Sequence, residues 1–304
     1  MDSIMENFST WISAMRLRTL PLSVSGIILA SCLAQYNQVF SWSICIIAIL
    51  TTLSLQILSN LANDYGDGVK GTDNDDRIGP QRAIQSGKIL PKQLLNAIII
   101  NVIIALFLAV LLIFTAFGVE NFLLSSLFLV LGIASVVAAI KYTVGSSAFG
   151  YKGLGDIFVF IFFGLVSVMG CYVLYAKEIS SITVLPAITI GLLSTGVLNL
   201  NNMRDRISDQ KSNKITLAVK LGPKKVKTYH YVLVVSAIML SAFFGVLYYS
   251  SVFNLIFFIA YIPLIIHLKT VHDNTDLKLL DPELKKLALT TVLLALLMGI
   301  GQLL

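Results

Sequence analysis

Nine apolar segments, each near the length that crosses a lipid bilayer, constrain this chain more than any other feature. They run at about 20–36, 40–61, 94–117, 121–140, 155–176, 182–201, 229–249, 252–271 and 287–304. About 20 apolar residues in helical conformation span the hydrocarbon layer. Lipid offers the backbone no hydrogen-bond partner, so such a segment must satisfy its own N–H and C=O groups as a helix. The expectation is an all-α, polytopic membrane protein, with residues 1–304 forming one membrane domain of nine transmembrane helices. Composition agrees: 57% of residues are hydrophobic and 12% charged, where a soluble domain carries about 25% charged residues.

The charge pattern orients the helices. The connections at about 37–39, 118–120, 177–181 and 250–251 contain one basic residue, Lys177, and the other 21 of the 22 Lys and Arg fall on the opposite side. Basic connections stay cytoplasmic. The N-terminus and the long connections at 62–93, 141–154 and 202–228 are therefore expected inside, and the C-terminus outside, a multi-pass cell (inner) membrane protein. This placement accounts for the net charge of +6 and removes the case for a nucleic-acid partner. The N-terminal stretch has no charged-then-apolar pattern of a cleaved leader. "FSTWISAMRLRTLPLS" instead alternates aromatic, apolar and basic residues, as an interfacial helix does. Cys32, Cys45 and Cys171 lie inside apolar segments without metal or disulfide spacing and read as small hydrophobes. The three His are scattered along the chain, which argues against a His-based metal site.

Carboxylates collect where two apolar segments end. Of 16 Asp and Glu, Asp64, Asp67, Asp73, Asp75 and Asp76 fall within a short run after the second segment. Residues three and four apart share a helix face, so Asn60, Asn63, Asp64 and Asp67 form one polar stripe. Asn201, Asp205 and Asp209, each four apart, form a second stripe at the end of the sixth segment. Polar and acidic residues at membrane depth face a cavity and mark function. Two such stripes on the same side suggest two walls of one pocket.

Carboxylate and amide oxygens are hard ligands that suit Mg2+, which binds through one or two carboxylates plus substrate phosphates. A diphosphate held this way at a membrane surface implies a lipid tail among the helices, hence a polyprenyl diphosphate. Arg77, Arg82, Lys70, Arg204, Lys211 and Lys141 are placed to contact phosphate oxygens. Such a site stabilises the charge that grows on a departing diphosphate, and a water-poor pocket protects the carbocation left behind.

The stretch "NLANDYGDGVKGTDNDDRIGPQRAIQSG" is similar to the first aspartate motif of the UbiA superfamily of intramembrane aromatic prenyltransferases. "RLRTLPLSVSGIILAS", "KYTVG", "YKGLGDIFVFIFFG" and "NNMRDRISDQKSNKITLAVKLG" follow in the order of its 1,4-dihydroxy-2-naphthoate polyprenyltransferase subfamily, so the likeness covers the whole chain. The resemblance implies nine helices in a ring beneath a cytoplasmic cap of loops. It implies Mg2+-dependent transfer of a polyprenyl group from polyprenyl diphosphate to 1,4-dihydroxy-2-naphthoate, with release of diphosphate and CO2, to give demethylmenaquinol for menaquinone biosynthesis. It carries over Asn63, Asp64, Asp67, Asp205 and Asp209 as metal and diphosphate residues. Lys141 is implied as catalytic with those aspartates, and Tyr142, Tyr151 and Arg16 as substrate-binding; Asn60 and Asn201 of the stripes and the neighbouring Arg77 and Arg204 are expected to bind substrate with them.

Two departures stand out. Gly71 occupies the position of a third carboxylate in the wider family; Asp73 or Asp76 compensates, or Asp64 and Asp67 suffice. "GSSAFGY" lacks the prolines frequent in the subfamily after "YT". Asp156 reads equally as a helix cap, and "DPELKK" at 281–286 as a helix start without chemistry. Two alternatives remain: the same chemistry on another acceptor such as 4-hydroxybenzoate, or an ion-coupled secondary transporter. Transporter sites lie near the midplane on broken helices, whereas both stripes here lie at helix ends.

Overall fold

The structure is a computed structural model that describes residues 2–73, 78, 79 and 81–304; the side chains of residues 2–8 and of Arg18 are outside that description. Asp75, Asp76 and Arg77 therefore lie outside the described residues. The elements among the described residues are helices: α1 (Asp2–Met15), α2 (Leu20–Tyr36), α3 (Trp42–Val69), α4 (Pro91–Phe117), α5 (Phe122–Lys141), α6 (Gly155–Ala176), α7 (Ser181–Arg204), α8 (Arg206–Lys211), α9 (Leu217–Leu247), α10 (Val252–Asp273) and α11 (Leu280–Leu303). Eight of these elements are long and apolar enough to cross a membrane among the described residues. The 17-residue α2 is a ninth when joined to the end of α1, from which it bends by 51°.

Successive helices pack as neighbours, α2 on α3, α3 on α4, α4 on α5, α6 on α7, α7 on α9, α9 on α10 and α10 on α11, which returns to α2. The ring encloses a cavity, which both α5 and α6 help to line. Lipid-facing helices have little to bury: Val136 is the buried residue of α5, while Phe122, Leu123 and Val130 are exposed. Without a hydrophobic drive between helices in lipid, close approach comes from small residues. A Cβ on Gly164 of α6 would stand 2.6 Å from the Ala187 carbonyl oxygen of α7, so Gly164 is what allows those backbones to meet. The stretch Phe160–Gly170 of α6 is wound as a π-helix at this contact. Buried hydroxyls satisfy themselves locally. Ser31, Thr195, Ser241 and Thr291 donate to the carbonyl one turn back.

The histidines, scattered in sequence, are not scattered in space. His230 of α9 and His267 of α10 meet through their Nε2 atoms at 2.9 Å, and His267 Nδ1 lies 2.6 Å from Glu283 Oε2 of α11. All three are buried. This chain ties three helices together by polar contacts. Among the described residues, no group of three or more His, Cys, Asp or Glu is arranged to hold a metal ion. Cys45 and Cys171 are buried, Cys32 is half-buried, and all three are free thiols.

Three connections make a cap at one end of the ring. The Ile215 amide donates to the Tyr151 carbonyl (3.2 Å), Lys220 Nζ to the Lys152 carbonyl (2.6 Å), Lys70 Nζ to the Thr143 carbonyl (2.6 Å), and Thr143 Oγ1 to the Ala62 carbonyl (3.0 Å). The first two bonds join the connection after α5 to the stretch that leads into α9 and to its first turn, and the last two join it to the end of α3, so the connection after α5 is held from both sides.

Candidate active site

The first acidic stripe is helical because α3 does not stop where its apolar run stops. It continues to Val69, and Asn60, Asp64 and Asp67 are buried on its inner face. Gly66 lies between the carboxylates for a steric reason: a Cβ there would fall 2.5 Å from Thr143 Oγ1. The second stripe crosses a break. α7 ends at Arg204 and α8 starts at Arg206, with Asp205 between them. The amide of Asp205 still donates to the Asn201 carbonyl (3.0 Å), and that of Asp209 to the Asp205 carbonyl (2.8 Å). The four-residue rhythm survives, and Asn201, Asp205 and Asp209 stay on one face.

Both stripes line the cap end of a single cavity of about 860 Å³. Asn60, Asn63, Asp64 and Asp67 form one wall and Asn201, Asp205 and Asp209 the other, with Arg16, Arg82, Tyr142, Arg204 and Asp281 around them. Beyond this polar end the lining turns apolar and aromatic, through Leu55, Leu112, Phe128, Phe158, Phe162 and Leu174. A charged head group fits one end and a hydrocarbon chain the other.

Each carboxylate has a fixed partner. Arg16 pairs with Asp64, and Arg82 Nε lies 3.6 Å from the same oxygen. Arg16 adopts a left-handed backbone (φ 52°) at the bend between α1 and α2, a conformation that costs a non-glycine residue energy. Asn60 holds that bend by donating Nδ2 to the Met15 carbonyl (2.9 Å) and to Thr19 Oγ1 (3.2 Å). The Tyr151 hydroxyl donates to Asp67 Oδ1 (2.7 Å) and meets Thr72 Oγ1 at 2.6 Å. Burial and the nearby Asp67 carboxylate hold the Tyr151 phenol well above its usual range, and burial does the same to Tyr142.

Arg204 sits differently from a free phosphate clamp. It is buried, donates Nε and Nη2 to both oxygens of Asp205 (2.8 and 2.7 Å), Nη2 to Asn201 (2.9 Å) and Nη1 to Asp281 (2.5 Å). Asp281, read from sequence as part of a helix start, thus braces the second wall. Lys141 and Lys211 are exposed, and neither lines the cavity. Lys141 Nζ lies instead by Gly145. Asn63 lines the cavity and accepts from Thr143 Oγ1 at 3.3 Å. The sequence reading missed Lys214. Its ammonium lies 2.9 Å from Asp67 Oδ2 and 3.9 Å from Asp209 Oδ1, joining the two walls across the cavity. Burial disfavours that charge, but the carboxylates of Asp67 and Asp209 outweigh it and hold its pKa above the ordinary lysine range. The only signal available was its place five residues after Asp209.

The donor set at the cap end is oxygen-only: carboxylates and amides. This fits Mg2+, which needs one or two carboxylates once substrate phosphates supply the rest.

The chain is similar to known proteins over nearly its whole length. The model of the UbiA prenyltransferase family matches residues 24–299. The chain is 39% identical over 291 residues to the 1,4-dihydroxy-2-naphthoate octaprenyltransferase of Escherichia coli (strain K12), covering 96% of this chain and 94% of that one. It is 41% identical over 304 residues to the protein of the same name in Haemophilus influenzae, covering 99% and 97%. Among solved structures, a UbiA homolog from Archaeoglobus fulgidus bound to DMAPP and Mg2+ matches with a TM-score of 0.62 at 14% identity, covering 96% of this chain and 99% of that one. At that identity the likeness speaks for the fold. With the family model spanning nearly all of the ring and both acidic walls, this chain belongs to the UbiA prenyltransferase family.

Proposed function

We propose that the enzyme transfers a polyprenyl group from polyprenyl diphosphate to 1,4-dihydroxy-2-naphthoate. The relatives' names support the acceptor and the class of donor. The observation that carries the reading is the cavity itself: two acidic walls bridged at one end, and an apolar, aromatic-lined channel continuing from them.

In the proposed reaction the allylic C–O bond of the donor breaks and its electron pair leaves with diphosphate. The prenyl cation bonds to the ring carbon that carries the carboxylate. That carboxylate departs as CO2 and returns its C–C electron pair to the ring, giving demethylmenaquinol. Asp64 and Asp67 on one wall and Asp205 and Asp209 on the other, with Asn63, would hold Mg2+. Bound there, Mg2+ would neutralise charge on the leaving diphosphate. Arg16, Arg82 and Lys214 line the same end and contact phosphate oxygens as they become more negative, which favours the transition state over the bound substrate. Tyr142, Phe149 and Phe158 form an aromatic group at the cavity edge, with Phe149 and Phe158 stacked at 3.8 Å. Their faces attract a carbocation and exclude water from it.

The charge asymmetry supports an orientation with the cap, the N-terminus and both acidic walls cytoplasmic and the C-terminus outside. The test is an acceptor assay on purified protein with Mg2+ and labelled octaprenyl diphosphate. Prenylated naphthol product is expected, with removal of divalent metal abolishing it. Prenylation of 4-hydroxybenzoate and not of the naphthoate would overturn the acceptor assignment.

A further inference from the structure

Asp67 and Asp209 face each other from different elements, 142 positions apart in sequence, and both are buried. Two buried carboxylates at this range repel one another, so something must hold the walls together before any substrate arrives. Lys214 does so, at 2.9 Å from Asp67 and 3.9 Å from Asp209. Its position is built in. Asn213 turns the chain through a left-handed conformation (φ 55°), the Lys214 amide donates to the Asp209 carbonyl (2.8 Å), and Ile215 is pinned to Tyr151. The ammonium also lies 5.5 Å from the Tyr151 ring centroid, on its face. These contacts fix the backbone, while the four-carbon side chain remains able to swing within the cavity it lines.

We propose that Lys214 is a placeholder cation: in the substrate-free enzyme its ammonium occupies the place between the acidic walls, and it releases the carboxylates only when a metal-bound diphosphate supplies it with new anionic partners. This rests on reading the cap end as a metal–diphosphate site. A divalent ion alone must displace an ammonium from Asp67 and leave that ammonium buried without a partner. A metal–diphosphate complex brings phosphate oxygens with it, and the ammonium turns onto them. The exchange makes the site bind metal and diphosphate together and resist metal alone. It also delivers Lys214 to the leaving group at the moment its charge is needed.

Manganese, a paramagnetic stand-in for Mg2+, reads this directly by electron paramagnetic resonance on the purified full chain. Wild type should bind Mn2+ weakly alone and at least tenfold more tightly with inorganic diphosphate. K214M should bind Mn2+ alone at least tenfold more tightly than wild type, and diphosphate should add little. K214R should restore the wild-type pattern. Thermal unfolding covers the case in which K214M is unstable: Mn2+ alone should raise its melting temperature by several degrees and leave wild type unchanged. If K214M binds Mn2+ alone no better than wild type, or is unstable to the same degree with and without Mn2+, the placeholder role is wrong. If wild type binds no Mn2+ even with diphosphate, the site reading itself fails, and the two failures are told apart.

Discussion

At the scale of single residues, the site works by giving every buried carboxylate a cation or hydroxyl partner. Tyr151 shows what such a partner does. Its hydroxyl is not in the cavity wall, yet it orients Asp67 through a 2.7 Å hydrogen bond. Hydrogen bonds to charged groups are worth about 1.5–3 kcal/mol. Tyr151→Phe should therefore raise the half-saturating Mg2+ concentration for prenyl transfer by roughly 10-fold or more, a change visible in Mg2+ titrations at saturating donor. Arg204 makes the opposite case. Sequence reading grouped it with phosphate-binding residues because it neighbours Asp205. Buried against Asp205, Asn201 and Asp281, it instead holds the second wall in shape. Removing one partner of a buried ion pair costs about 3–5 kcal/mol. Arg204→Ala should thus show mainly as a lowered melting temperature and a poor yield of folded protein. Pairs such as Asp64 and Asp67 were legible because helical spacing is local. Lys214 was not, because its partner Asp67 is 147 positions away, and no spacing rule spans a fold.

At the scale of elements, the sequence shows where helices cross the membrane far better than where they end. Hydropathy marks the lipid-buried part alone. α3 runs to Val69 and α9 starts at Leu217, each extending past its apolar stretch into the cap. α9 does so across a kink at Gly222 and Pro223, where Gly222 takes a φ of 73°. The extension of α3 carries Asp64 and Asp67 into the cap, so the site lies just outside what hydropathy detects. The cap depends on close contact between α3 and the connection after α5, and Gly66 permits it. Gly66→Ala would set a Cβ 2.5 Å from Thr143 Oγ1. Overpacking of this kind costs about 1–3 kcal/mol. It should also shift Asp64 and Asp67 together, so turnover should fall more than stability does. Parallel measurements of kcat and melting temperature for this variant, with Gly71→Ala as an unobstructed comparison, check that ordering. Gly71 has open space around it but a φ of 71°, so its substitution strains the backbone without striking the cap.

At the scale of the whole molecule, one cavity joins a charged end at the cap to an apolar end among the halves of the helices away from the cap. Along α3 the lining runs from Asp67 back to Ala48, a helical rise of about 28 Å at 1.5 Å per residue, close to the hydrocarbon thickness of a bilayer. This depth is a property of the ring and of no single motif, which is why the length of the lipid chain could not be read from sequence. It leads to a test that separates the two ends. Gly132 of α5 lines the cavity and has room for a Cβ, with the Ala109 Cβ as its nearest neighbour at 3.6 Å. Gly132→Phe would place a ring part-way along the channel while leaving both acidic walls untouched. A short donor such as geranyl diphosphate ends before the obstruction, whereas an octaprenyl chain must pass it. The variant should keep most of its turnover with the short donor and lose at least tenfold in kcat/KM with the long one. Unchanged kcat/KM with the long donor would place the chain outside this channel, and the depth of the ring would then have no part in choosing the substrate.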